Sequence, residues 1–355
     1  MKESDNSRIK VLVVDDSAVI RTMFTEMLNS APDIEVIGTA VDPYVARDKL
    51  VNLNPDVMTL DIQMPKMDGI TFLKKVMEHM PTRTVIISSF SKTNPEMGRQ
   101  ALEAGAIEVL EKPVIDRNTP AAEVRERLIT VVRSAAKARL KSGPGKRRPV
   151  ADSPRNIQRR GTRIIAIASS TGGTDALKRV LPQLPDDTPG IVVVQHMPPG
   201  FTESFAIQLN KICQIEVREA RQNDVVRPGL ALIAPGNFHM EIRRGTQGYL
   251  IHLHQQPLLH GVRPAADFLM NSVAKHAGSG AIGVVLTGMG KDGGAGLLRM
   301  KQKGSYNLAQ DQESAVVYGM PGHAKELGAI DQVLPLDQIA MGVVEAQQHR
   351  ERRKA

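Results

Sequence analysis

The feature that most constrains this 355-residue chain is a repeating pattern: a short apolar run, closed by a polar residue and followed by a segment of helical spacing. In the first third the runs lie at Ile9–Val14, Ile34–Ala40, Val57–Leu60, 84–88 and 108–110. Helical spacing occupies 18–28, Pro43–Leu53, 69–80 and 95–104, with a last helix over 120–138. Short continuous apolar runs bounded by turn residues read as strands buried on both faces. Five strands alternating with five helices predict a doubly wound parallel sheet. Such a sheet collects its chemistry outside the carboxyl ends of the strands. Those ends carry Asp15, Asp16, Asp61, Ser88 and Lys112. Three carboxylates brought together repel unless a cation joins them, and oxygen ligands with several waters suit Mg²⁺. An aspartate can also act as a nucleophile and form an acyl phosphate. A lysine nearby would neutralise the added phosphoryl group, and a serine would donate to it.

The Asp15-Asp16 pair, Asp61 before Met64-Pro65 and Asp68-Gly69, Ser88, and Lys112-Pro113 together resemble the response-regulator receiver family over residues 1–125. The resemblance implies that Asp61 accepts phosphate from a histidine kinase, with Mg²⁺ held by Asp15, Asp16 and Asp61. It makes Ser88 and Lys112 the switch residues. Many receivers carry an aromatic switch residue three positions before the lysine; this chain has Val109 there, so a rotating ring is not the relay.

A compositional break follows. Residues 126–161 are expected to hold the end of a helix and a flexible basic linker, rich in Pro, Gly, Ser and like charge. Such a stretch cannot bury enough apolar surface to order itself. A second domain is expected over 162–346 and a basic tail over 347–355. The net charge of +8 resides largely in the linker and tail. Aromatic residues are 3% and Trp is absent, so stacking platforms for nucleic acid are poorly supplied. The charge therefore reads as solvated, with no nucleic-acid partner. No apolar run approaches the roughly 20 residues that span a bilayer, and the polar start MKESDNSRIK lacks a signal-peptide core. A cytoplasmic protein with no membrane insertion is the expectation. The single cysteine, Cys213, sits in KICQIEV and reads as a buried structural thiol. His252 and His254 alternate on one strand face, which is weak support for a metal.

The second half repeats the strand–turn–helix theme at three points. A strand at 164–168 runs into ASSTGGT (168–174), GIVVVQ (Gly190–Gln195) ends at His196, and AIGVVL (281–286) runs into TGMGKDGG. Taken alone, the first turn is compatible with an N-cap, a phosphate cradle or a nucleophile turn with an oxyanion site. Further short strands are expected at 215–217 and 231–234, a hairpin around 245–248, and a helix over 267–277. Gly288, Gly290 and Gly293 match G-x-G-x-x-G, with Asp311 downstream, so an NAD-type oxidoreductase competes. That motif comes late in the chain and leaves Ser170 and His196 without work. The other reading joins three strand ends: Ser170 supplies a hydroxyl, His196 a base and Asp292 an orienting carboxylate. The order Ser, His, Asp and the lack of G-x-S-x-G match none of the common serine-hydrolase signatures. The sequence does not show that the three meet.

Residues 168–174, 195–202 (QHMPPGFT), 234–239 (APGNFH), 287–296 (TGMGKDGGAG) and 309–319 with Met320-Pro321 resemble the chemotaxis protein-glutamate methylesterase family, CheB. Both halves and their order match. The resemblance implies two doubly wound α/β domains, a flavodoxin-like receiver and a Rossmann-like α/β/α catalytic domain. It implies a phosphorylation-activated serine hydrolase with Ser170 as nucleophile, completed by His196 and Asp292. Thr171 and the backbone amide of Met289 would support the oxyanion or the histidine. The implied substrates are glutamate methyl esters on the cytoplasmic helices of methyl-accepting chemoreceptors, with methanol released, and certain receptor glutamines. The implied phosphodonor is the histidine kinase of the pathway, and the esterase chemistry needs no cofactor. The unphosphorylated receiver would cover the site and phospho-Asp61 would release it. A receptor pathway other than chemotaxis stays open. A receiver-linked transcription factor is disfavoured, because the second half shows no compact helix-turn-helix.

Overall fold

A computed structural model describes residues 8–89, 95–112, 121–138, 164–246 and 248–352. Most of the linker expected over 126–161 lies outside the described residues. The chain divides into two compact units between Lys141 and Ser142.

In the first unit, β1 (Ile9–Val14), β2 (Ile34–Ala40), β3 (Val57–Leu60), β4 (Arg83–Ser88) and β5 (Glu108–Glu111) alternate with five helices. These are α1 (Ala18–Asn29), α2 (Pro43–Leu53), α3 (Gly69–His79), α4 (Pro95–Glu103) and α5 (Ala121–Lys137). The strands form one parallel sheet in the order β2-β1-β3-β4-β5. Successive strand residues face opposite sides. Val11 and Val13 accordingly join Phe24, Leu28 and Val132 in one core, and Leu12 and Val14 are equally buried. Short polar residues open α1, α2 and α3. Asp42 accepts the amides of Tyr44 and Val45 at 3.0 and 2.9 Å, and Asp68 accepts that of Thr71 at 2.9 Å. Such caps are worth about 1 kcal/mol each. The chain order reverses between β1 and β3, so a crevice opens there, beside Asp15 and Asp61.

The second unit begins with β6 (Ile164–Ser169), α6 (Gly173–Val180), β7 (Gly190–Gln195), α7 (Phe201–Ile212), β8 (Glu216–Glu219), β9 (Val225–Val226) and β10 (Leu230–Ile233). Next come β11 (His239–Gly245), β12 (Gly248–His254), α8 (Ala266–His276), β13 (Ala281–Val285) and α9 (Gly294–Gln302). It closes with β14 (Tyr306–Gln310), α10 (Met320–Glu326), β15 (Gln332–Leu334) and α11 (Ile339–Arg352). Seven strands form a parallel sheet, β15-β14-β13-β6-β7-β10-β8. The expected hairpin is β11–β12, which with β9 makes a separate antiparallel sheet. Helix α11 continues to Arg352, through most of the stretch expected as a tail.

Alternation along β6 feeds two cores. Ile164, Ala166 and Ala168 pack with residues of α8 and α9, while Ile165 and Ile167 pack with residues of α6, α7 and α11. β6 has β7 on one side and β13 on the other, so the chain order reverses at β6. The carboxyl ends of these three central strands are where a doubly wound sheet presents a site.

Candidate active site

The β6–β7 ladder pairs Ser169 with Gln195, so Ser170 and His196 leave adjacent strand ends together. The His196 amide donates to Ser169 O at 3.1 Å, and the Ser170 amide donates to Thr287 O at 3.0 Å. Ser170 thus stands between the ends of β7 and β13. The turn after it needs both glycines. Gly172 has φ of +76°, and a Cβ there would lie 2.6 Å from Val316. A Cβ on Gly173 would lie 2.1 Å from Gln195 Oε1. The turn closes with the Gly173 amide donating to Ser170 O at 2.7 Å and opens α6, whose N-terminal end favours negative charge.

The 287–293 loop lies against this turn. Thr287 Oγ1 donates to Thr171 O at 2.9 Å, and a Cβ on Gly288 would come 2.9 Å from Ser170 Cβ. Gly288 O accepts the amides of Gly319 and Met320 at 3.0 and 2.8 Å, which fixes the segment bearing Met289. The loop then brings Asp292 to His196, with Oδ2 2.8 Å from Nε2. The same carboxylate accepts the Ala266 amide at 2.6 Å and the Asp267 amide at 2.9 Å, closing the N-terminus of α8. Burial pushes the Asp292 carboxyl up, but the His196 hydrogen bond and charge and the two amides outweigh it and hold the pKa below the usual range. Asp267 is held in turn by His260 Nε2 at 2.8 Å and the Gly296 amide at 2.7 Å.

The structure therefore brings His196 and Asp292 into direct contact and sets Ser170 on the neighbouring strand end. The Ser170 hydroxyl makes no hydrogen bond among the described residues. With Nε2 on Asp292, Nδ1 is the ring nitrogen left to take a proton. Gln195, Thr287 and Gly319 also shape the site and were not legible as site residues in the sequence. Gln195 had one signal, a polar side chain ending an otherwise apolar strand. The acid needed by the dinucleotide reading is committed elsewhere: Asp311 accepts the amide and hydroxyl of Ser314 at 2.9 and 2.6 Å. Cys213 is partly buried, and burial pushes its thiol up to about 12, which removes the thiolate a nucleophile needs.

In the first unit, Lys112 Nζ lies 2.7 Å from both Asp15 Oδ2 and Asp61 Oδ2. Burial works against the ammonium, but the two carboxylates outweigh it and raise its pKa. Burial, helped by the charge of Asp61, also raises the Asp15 carboxyl despite Lys112. Carboxylate oxygens of Asp15, Asp16 and Asp61 lie within 4.8 Å of one another, an all-oxygen donor set that fits a hard divalent cation. Ser88 is buried at the end of β4, and its carbonyl accepts the Lys112 amide at 2.9 Å. A Cβ on Gly69 would lie 2.1 Å from Asp61 O, so the Asp68-Gly69 turn packs directly under the aspartate. Val109 is buried in β5.

Residues 165–343 match the family described as CheB methylesterase, and residues 11–123 match the response regulator receiver domain. A protein-glutamate methylesterase/protein-glutamine glutaminase of Bdellovibrio bacteriovorus is 56% identical over 348 residues, 97% of this chain and 98% of that protein. The chain belongs to the CheB methylesterase family. A protein of the same description from Salmonella typhi is 45% identical, over 94% of this chain and 95% of that protein. The solved CheB methylesterase catalytic domain of Thermotoga maritima is 41% identical, with a TM-score of 0.51, over 52% of this chain and 98% of that one. The glycine-rich 288–293 loop is thus part of a CheB hydrolase fold and not a dinucleotide fingerprint. Among the described residues no helix is long and apolar enough to cross a membrane.

Proposed function

We propose that this chain is a receiver-controlled protein-glutamate methylesterase and protein-glutamine glutaminase, acting on chemoreceptors in sensory adaptation. The observation that carries the reading is the His196–Asp292 pair at 2.8 Å beside Ser170, on the central strand ends of a CheB-type sheet. Ser170 Oγ attacks the side-chain carbonyl of a glutamate methyl ester, and His196 Nδ1 takes its proton. The proton passes to the leaving methoxide, and methanol departs from a Ser170 ester. Water gives a proton to His196 and its oxygen to the acyl carbon; the bond from that carbon to Ser170 Oγ then breaks, His196 returns the proton to Oγ, and a glutamate and the free serine remain. On a glutamine the same steps release ammonia. Asp292 holds the imidazole in one tautomer and stabilises its cation. Thr171 and the Met289 amide are the donors for the oxyanion; one such donor is typically worth about 3 kcal/mol of barrier.

Control comes from Asp61, phosphorylated by the histidine kinase of the pathway. Asp15, Asp16 and Asp61 would hold Mg²⁺, which screens the charge of the incoming phosphoryl group. Lys112 is placed to pair with a phosphoryl oxygen and Ser88 to donate to one. Phosphorylation shifts the enzyme toward its active state through a two-state element. The chain works in the cytoplasm, where receptor helices and kinase are accessible. The test is methanol release from a methylated receptor cytoplasmic fragment, with and without a small-molecule phosphodonor. Release stimulated by the phosphodonor supports the reading; no release under either condition removes it.

A further inference from the structure

We propose that Gln195 is a positioning residue of the hydrolase, whose one carboxamide ties together the main chains of the nucleophile and the base. The inference rests on the reading of Ser170 and His196 in those roles. Gln195 ends β7 and is 2% exposed. Its Oε1 accepts a hydrogen bond from Ser169 Oγ at 2.8 Å, and because the other end of the amide faces two carbonyl oxygens, which only accept, that end is the NH₂. Nε2 has two protons, and both are used. One goes to Ser170 O at 3.0 Å and the other to His196 O at 3.2 Å. The two acceptors are the carbonyls of the residues that must exchange a proton.

The strand ladder alone does not fix that relation. Its last pair is Ser169 with Gln195, so Ser170 and His196 are the first residues beyond it. The carboxamide carries the coupling one residue past the point where the sheet stops. The turn is built around it. A Cβ on Gly173 would lie 2.1 Å from Gln195 Oε1 and 2.7 Å from Ser169 Cβ, so the second glycine leaves the volume that the amide and its partner occupy. A buried amide is costly unless its donors and acceptor are satisfied, and here they are. Ser170 Oγ and His196 have to approach for proton transfer, and misplacement by about 1 Å can cost about 10²-fold in rate. Clamping both main chains to one rigid group limits that error.

The test uses the full-length chain, activated by phosphodonor, with methanol release as the readout. Gln195→Met keeps the length and removes both donors; kcat is expected to fall by about 10- to 100-fold with KM nearly unchanged. In Gln195→Glu only the protonated carboxyl can donate to either carbonyl, so kcat acquires a loss as pH rises that wild type lacks. A merely structural side chain would not create that limb. Ser169→Ala removes the hydrogen bond that holds Oε1, loosens the amide and is expected to lower kcat several-fold while the chain stays folded. Wild-type kcat in Ser169→Ala, together with wild-type kcat or a wild-type pH profile in whichever Gln195 variant folds, overturns the proposal. Ser170→Ala separates the two levels. If it is inactive while the Gln195 and Ser169 variants are unimpaired, only the positioning role fails; if it is active, the triad reading itself fails.

Discussion

His196 Nε2 lies 2.8 Å from Asp292 Oδ2, although 96 residues separate the two in the chain. The same carboxylate terminates α8 through the amides of Ala266 and Asp267. A helix N-terminus stabilises an anion. His196 first, and these amides after it, hold the Asp292 pKa low against burial, and the amides fix the face it turns to His196.

Asp292→Asn preserves shape but not charge, and the amide can present its donor to the wrong imidazole nitrogen. A loss of kcat of about 10⁴-fold is expected for methanol release, by the logic of triads in which the orienting aspartate is replaced. Less than a tenfold loss in a folded variant would show that Asp292 is not the orienting acid.

Gly173→Ala places a methyl group 2.1 Å from Gln195 Oε1. Overpacking a tight interior site costs about 1–3 kcal/mol. Urea denaturation should show a loss of that size, with esterase activity falling further because the strained atoms border Ser170. An unchanged midpoint would mean that the turn relaxes without the clamp.

His239 is fully buried, and burial pulls its pKa below the ordinary value. Its Nδ1 accepts the Ala265 amide and its Nε2–H donates to Pro257 O, both at 3.1 Å. Protonation would break the Ala265 contact. The unfolded chain binds the proton near pH 6.5 while the folded chain resists it. Stability is therefore full above about pH 6.5 and falls as pH drops below it. Burial lowers His252, His254 and His276 too, with the same sign. Urea midpoints at pH 7.5 and 5.5 check this, and His239→Gln should reduce the difference between them.

Asp61→Asn removes the acceptor carboxylate but leaves Lys112 paired with Asp15. The phosphodonor-dependent rise in methanol release should vanish while the unstimulated rate persists. A stimulated rate equal to wild type would move the phosphorylation site elsewhere.

Much of the architecture was legible because strands buried on both faces write themselves as unbroken apolar runs. Ile34–Ala40, Pro43–Leu53 and Gly190–Gln195 have the bounds expected from sequence. β14 was not legible, because Asn307 and Gln310 look like surface residues yet are fully buried. Asn307 Nδ2 donates to Leu297 O and Ala329 O, and Gln310 Oε1 accepts the Thr287 amide. Only the tertiary fold supplies those partners. β9 has two residues and β15 three, and pairing with β12 and β14 defines them more than composition does. In the site, the strand-end positions of Ser170 and His196 followed from the pattern. The docking of Asp292 onto the amides of α8 did not, since it depends on how a distant helix packs.

The most direct measurement compares methanol release from methylated receptor by wild type, Ser169→Ala and Ser170→Ala under saturating phosphodonor. The expected result is a rate near background for Ser170→Ala, with Ser169→Ala slowed only several-fold. Wild-type release by Ser170→Ala would contradict the assignment of the nucleophile and, with it, the catalytic site described above.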